Sequence, residues 1–333
     1  MDLQQRSRRF GLAMIASVLA ARFFTSGLPE RIVTEIRQLD IAPFLIYLET
    51  GRDVRFSASN EVFWVFSPES AQPMLPKEPD KPVFSSEDLA LTDIYYACGI
   101  RPDLESLLTQ PLSWDLTDGQ PAVLILHTHT TESYTQGREP YVESSDYRTL
   151  DEGYNMLSIG ARVRDILEEN GICVLQDRSL HDYPSYNGSY TDARKSIEAY
   201  LAEYPTIRLV LDLHRDASDG TNGQLRTEVA LGDETCAQLM LVMGTDASGQ
   251  VHENWQENFH LALKLQAQLE RQVPGITRPT ILRAQRFNQD LSPGALLVEV
   301  GAAGNSHPEA LRAAEELAKA IVALSKGTKG TQP

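Results

Sequence analysis

Five short apolar runs, at residues 122–126, 172–175, 209–213, 239–243 and 295–300, constrain this chain more than any other feature. Each is near-continuous rather than alternating, which suits a strand buried on both faces. Between them lie segments of helical spacing. Met156, Ile159, Gly160, Val163, Ile166 and Leu167 recur on one face, and Asn170-Gly171 supplies a stop. Residues 189–203, 255–272 and 309–324 read as further helices, the second of these ended by Pro274-Gly275 and the last burying Leu311, Ala314, Leu317, Ala318 and Ile321. Strands alternating with helices predict an α/β fold: a mainly parallel sheet flanked by helices on both faces.

In such sheets the ligand crevice lies beyond the carboxyl ends of the strands. Three polar clusters fall there. The first run leads into His127-Thr-His-Thr-Thr-Glu-Ser-Tyr134, the third into Asp212-Leu-His-Arg-Asp216, and the fifth contains Glu299, followed by Gly301 and Asn305. A catalytic zinc takes three protein ligands, imidazole or carboxylate, plus water. His129 and Glu132, three apart after one strand, and His214 after another supply that set. Such a metal lowers the pKa of bound water and polarises a carbonyl, while a carboxylate off the metal moves the proton. Glu299 is the candidate for that base, because a carboxylate inside an apolar run is costly unless paired or functional. Arg215 could steady an oxyanion or bind a substrate carboxylate, and Asp212 or Asp216 could orient an imidazole.

Simpler readings stand beside these. Arg215 and Asp216 read equally as a local ion pair, and His181, His252, His260 and His307, in polar stretches, as surface residues. Ser133 lacks the Gly-x-Ser-x-Gly frame of a nucleophile elbow. The three cysteines, Cys98, Cys173 and Cys236, share no metal-binding spacing, and an odd count argues against a disulfide framework. Cys173 and Cys236 sit in apolar runs and read as core thiols. A net charge of −16 with no basic footprint sets nucleic-acid binding aside.

Upstream, Arg6, Arg8 and Arg9 precede an apolar stretch at residues 10–21, the pattern of an export signal or a membrane anchor. Residues 67–88 are rich in proline and charge and predict an extended linker. The expected organisation is therefore an anchor or signal at 1–30, a variable region with its linker at 31–118, a catalytic domain at 119–327, and a tail at 328–333. The anchor would place the catalytic domain outside the cytoplasm.

The polar clusters, with Asp182-Tyr-Pro-Ser-Tyr186, Trp255-Gln-Glu-Asn258, and Arg286-Phe-Asn-Gln-Asp-Leu-Ser-Pro293 leading into Leu297-Val-Glu-Val-Gly301, resemble stage II sporulation protein P of endospore-forming bacteria. The resemblance covers roughly residues 120–325. It implies the fold of the zinc-dependent amidases and exopeptidases, and hydrolysis of septal peptidoglycan during engulfment. The bond would be that of an N-acetylmuramoyl-L-alanine amidase, with an endopeptidase activity also ascribed to the family. It further implies Zn2+, a membrane anchor, and stage II sporulation proteins D and M as partners. By similarity to the amidases, His129 is the first ligand, His214 the second and Glu299 the catalytic glutamate. The third ligand is Glu132 on the His-x-x-Glu pattern, or Asp151 or Glu152 on the amidase pattern, and the role of His127 is left open. A zinc peptidase of ordinary chains and a non-enzymatic wall-binding scaffold are the alternatives.

Overall fold

The computed structural model describes residues 82–112, 114–135, 147–217, 219–220 and 223–325. The expected anchor at 1–30, most of the linker and the tail at 328–333 lie outside the described residues. Among the described residues no helix is long and apolar enough to cross a membrane.

A seven-stranded sheet forms the centre, in the order β1-β10-β9-β11-β4-β2-β3. The strands are β1 (Ile94–Tyr96), β2 (Pro121–Leu126), β3 (Cys173–Gln176), β4 (Leu209–Asp216), β9 (Leu239–Gly244), β10 (Thr280–Arg283) and β11 (Ala295–Ala302). Between β4 and β9 come two small hairpins, β5–β6 (Asp219–Gly220, Gly223–Gln224) and β7–β8 (Glu228–Leu231, Glu234–Ala237). All neighbouring pairs of the main sheet run parallel except β11 with β9. The expected mainly parallel sheet is thus present. The exception is the β9–β11 junction: β1, β10 and β9 run parallel to one another and opposite to β11, β4, β2 and β3, with hairpins rather than a crossover helix leading from β4 into β9.

The helices are α1 (Leu104–Thr109), α2 (Met156–Glu169), α3 (Ser189–Glu203), α4 (Trp255–Gln272) and α5 (His307–Leu324). Their ends are chemically marked. The Asn155 side chain accepts the Leu157 amide at the start of α2, and Gly171 takes a positive φ just past its end. Ser306 and Glu309 close a capping box at α5, with proline in its first turn.

Alternation along β4 and β11 divides their side chains between two faces. Leu211, Leu213, Leu296 and Val298 join the large core packed by α2, α4 and α5. The other face carries Asp212, His214, Leu297 and Glu299. Over β2 and β4 it is covered by Ala193 and Ile197 of α3, which pack on Leu124, Leu126 and Val210. Helices therefore lie on both faces but unequally, and the candidate site opens on the face with one helix. The sheet also draws on residues 94–96, upstream of the stretch expected to begin at 119.

Candidate active site

Asp212 and Glu299 lie within their strands as expected, and His214 lies within β4 rather than after it, because β4 runs on to Asp216 beyond its apolar run. His127 to Ser133 form the turn leaving β2. The register sets Glu299 beside His214 and Leu297 beside Asp212 on adjacent parallel strands. His129 reaches the same place from the turn, its ring 5.2 Å from that of His214 and edge-on to it. Glu132 Oε2 lies 3.6 Å from His214 Nδ1. The sequence-derived set of His129, Glu132, His214 and Glu299 is thus gathered in one cluster, the first three buried and Glu299 half-buried at its side.

Each member is held by neighbours. Asp212 accepts the Thr128 amide at 2.8 Å and the Thr128 hydroxyl at 2.6 Å, and faces His214 Nε2 at 2.9 Å. That last approach lacks the alignment of a hydrogen bond, so the nitrogen has proximity to a carboxylate without a bond. Tyr186 stacks on His129 at 4.5 Å, and the Arg148 guanidinium lies over Tyr186. Asp182 ties the turn down by accepting Thr131 and Arg148. These contacts account for the Asp182–Tyr186 motif.

Arg215 donates to the carbonyls of Ser133 and Tyr147 and places Nη1 3.7 Å from Glu132 Oε1. Its sequence neighbour Asp216 pairs with Arg278 at 2.8 Å, so the local Arg215–Asp216 pair is replaced by two longer-range ones. Asp151 and Glu152 are exposed, the first accepting the Gly153 amide and the second paired with Arg178. Glu132 alone of the three candidate third ligands is buried against His214.

His127 points the other way. Its Nδ1 donates to the Leu213 carbonyl at 3.1 Å, and its ring packs against Gly160 of α2, where a Cβ would fall 2.6 Å from Nε2. Burial pushes its pKa down to about 4, so it is a neutral core imidazole. Residues two apart on a continuing strand would share a face; His127 and His129 part because β2 ends at Leu126 and the chain turns between them.

The electrostatics separate the two glutamates. Burial pushes Glu299 up to about 8, with Glu132 and Asp216 adding to the rise against His214 and Arg215. Its Oε2 is buried without a hydrogen-bond partner. Burial also opposes charge on Glu132, but Arg215, His214 and His129 outweigh it and hold the group at about 2. Two carboxylates pushed apart by their surroundings are the signature of distinct acid–base roles. Burial lowers His129; for His214 burial is overridden by Asp212 and Glu132, which raise it well above the ordinary range.

Among the described residues no three His, Cys, Asp or Glu side chains are arranged as a ready metal cage. The donor types nonetheless fit zinc. His129 Nδ1 is buried without a hydrogen-bond partner, and the Glu132 carboxylate stands 3.6 Å from His214 Nδ1, on the far side of that ring from Asp212.

The four histidines expected at the surface are buried. His181 contacts the His127 carbonyl and Ser196, His260 the Gln110 carbonyl, and His307 the Ser158 hydroxyl. Polar neighbours in sequence conceal such burial, because packing against distant elements decides it. Cys236 is buried as expected, whereas Cys173 on the edge strand β3 is only half-buried.

A model of the stage II sporulation protein P family matches residues 69–322. The chain belongs to that family. Stage II sporulation protein P of Bacillus subtilis (strain 168) is 26% identical over 213 residues, 61% of this chain and 50% of the relative. The chain thus spans about half the length of that curated family member. Among solved structures, the chain is similar to the CwlD amidase of Clostridioides difficile in complex with the GerS lipoprotein, at 16% identity and a TM-score of 0.39, covering 61% of this chain and 95% of that one. It is also similar to the N-acetylmuramyl-L-alanine amidase Ami1 of Mycobacterium smegmatis, at 16% identity and a TM-score of 0.36, covering 63% and 96%.

Proposed function

We propose that this stage II sporulation protein P family member is a zinc-dependent hydrolase of cell-wall amide bonds, acting as an N-acetylmuramoyl-L-alanine amidase on septal peptidoglycan, with endopeptidase activity as a second capacity. The observation that carries the reading is the cluster in which His129, its Nδ1 buried and unpartnered, gathers with Glu132 and His214, with Glu299 beside them. In this reading those three residues hold the zinc. When bound, zinc supplies a Lewis acid for the carbonyl and an acidified water.

Glu299 takes the proton of the attacking water and returns it to the leaving amine. Its poise near neutrality, set by burial, suits that exchange. Asp212, fixed by Thr128, orients the His214 ring. Arg215 is engaged with Ser133, Tyr147 and Glu132, which supports a role in keeping Glu132 anionic and its turn in place. Tyr186 stacks on His129 and walls the cluster on the solvent side.

On the same reading the chain works outside the cytoplasm, held by its N-terminal segment, beside stage II sporulation proteins D and M. The support for anchor and partners is the family resemblance with the basic-then-apolar N-terminus.

The test is zinc content together with peptide release from purified sacculi, wild type beside Glu299→Ala. One zinc in both proteins, with release by wild type alone, is the expected result. Wild type that cleaves unmodified peptides as fast as wall fragments would make it a general peptidase. Binding to sacculi without metal or release would make it a scaffold.

A further inference from the structure

Two cavities share a wall residue, and the first adjoins the catalytic cluster. The first, of about 300 Å³, is lined by Tyr190, Gln250, Gln285, Arg286, Phe287 and Asn288. The second, of about 620 Å³, is lined by Asp246, Gln250, His252, Glu253, Trp255 and Gln256 among others. Gln250 borders both. Tyr190 joins the first to the catalytic cluster, since its ring stacks 6.4 Å from that of His214 and meets His129 edge-on at 5.6 Å.

The wall of this groove is built, not incidental. Phe287 and Asn288 take φ values of 52° and 57°, a left-handed pair in two non-glycine residues. Such strain persists only where surrounding contacts over-determine it, and it collects at functional surfaces. Here Asn288 donates to the Tyr190 carbonyl at 2.8 Å, Gln289 bridges the Gly244 amide and the Val242 carbonyl, and Arg286 reaches the Val251 carbonyl and Asp290. Arg194 of α3 holds Asp290 with a forked pair of bonds. The Arg286–Pro293 motif therefore locks the loop between α3 and β9, a role the catalytic reading leaves without a purpose.

At the far end stands His252, 2% exposed, with both ring nitrogens lacking any hydrogen-bond partner. A buried unsatisfied polar group calls for an explanation. Burial keeps this imidazole neutral, so it offers one donor and one acceptor, the complement of a hydroxyl that both gives and accepts. Around it are amides, an indole and, at the mouth, Val251, 70% exposed.

We infer that this groove, from Tyr190 to Trp255, is a subsite for the glycan strand, taking N-acetylated sugars on one side of the scissile amide. The inference rests on the wall-hydrolase reading for its substrate. Aromatic and apolar surfaces match the faces of sugar rings, and amides and carboxylates match their hydroxyls. Asp246 and Glu253 carry the same charge as the carboxylates of a stem peptide, which favours the sugar over the peptide as occupant.

The test is calorimetric titration of the whole chain with tetra-N-acetylchitotetraose and, separately, with a free stem peptide. Gln250→Ala and Gln256→Ala change exposed side chains and spare the fold; His252→Leu removes the buried nitrogens. Binding of the tetrasaccharide, weakened at least five-fold in both glutamine variants and not displaced by the peptide, is the expected result. No binding, binding indifferent to both variants, or peptide bound in its place would overturn the inference. Peptide release from sacculi, measured in parallel, separates the two readings. Release without tetrasaccharide binding removes the subsite alone, and tetrasaccharide binding without release removes the hydrolase reading while the subsite stands.

Discussion

Glu299 and His214 are register partners on two adjacent parallel strands, and their side chains share the face that carries only one helix. A carboxylate with a folded pKa of about 8 in place of 4.5 takes up a proton on folding. Its contribution to stability is complete below about pH 4.5 and is lost as pH rises through 8. Glu299→Gln should therefore leave metal-free protein as stable as wild type at pH 4.5 and more stable at pH 9, by on the order of 2 kcal/mol. Urea denaturation at the two pH values checks this, and a difference independent of pH would refute it. The same variant should lose peptide release by a hundred-fold or more, as expected of a general base.

Thr128 bonds Asp212 twice, through its amide and its hydroxyl. Thr128→Val keeps the shape and the amide bond but deletes the hydroxyl. With Asp212 less well fixed, zinc affinity should fall about 10-fold, the lower end for a partner of a metal ligand. Competition with a chromogenic chelator measures it. Unchanged affinity would mean that Asp212 does not govern His214.

Gly160 faces the His127 ring and the Gln176 amide, each 2.6 Å from where a Cβ would sit. Gly160→Ala gains helix propensity but overpacks the core, so a net loss of about 1–3 kcal/mol is expected. Combining it with His127→Ala should recover part of that loss. Thermal unfolding of the single and double variants decides the matter, and a stabilising single substitution would show that the ring can move away.

Glu309 accepts from Ser306, Asn305, Thr235 and Arg226, so it links the cap of α5 to the hairpin and to the turn after β11. Burial opposes its charge, yet Arg226 and the other donors outweigh it and hold the group near 2. The stabilisation is present above about pH 4.5 and lost as pH falls through 2. Glu309→Gln should cost about 1 kcal/mol at pH 7, as for loss of a cap. It should also flatten the acid limb of stability, which an acid titration followed by circular dichroism would show.

Much of this molecule is legible before folding is considered. Helix α3 occupies residues 189–203 and α4 residues 255–272, as spacing and breakers predict, because amphipathic period and capping are local properties. His129, Glu132 and His214 are legible because they follow buried strands at spacings that suit a metal, and Glu299 because a carboxylate inside an apolar run is costly unless it acts. The β7–β8 hairpin and the short strands β1 and β10 gave no comparable signal. Their half-exposed or three- to four-residue patterns carry too little periodicity to separate from loop.

Sequence by itself determined the alternation of strand and helix, hence the largely parallel sheet, and which residue types could do chemistry. Tertiary structure decided which of them meet. Glu132 rather than Asp151 or Glu152 lies against His214 because an eight-residue strand carries His214 beyond its apolar run to meet the turn after β2. His127 and His129, two residues apart, go to opposite sides because the chain leaves the strand between them. His252 and its neighbours become one groove with Tyr190 only through Gln250 and the loop at 286–290. Local pattern is set by the period of the backbone, whereas proximity depends on register and loop packing between residues far apart in the chain.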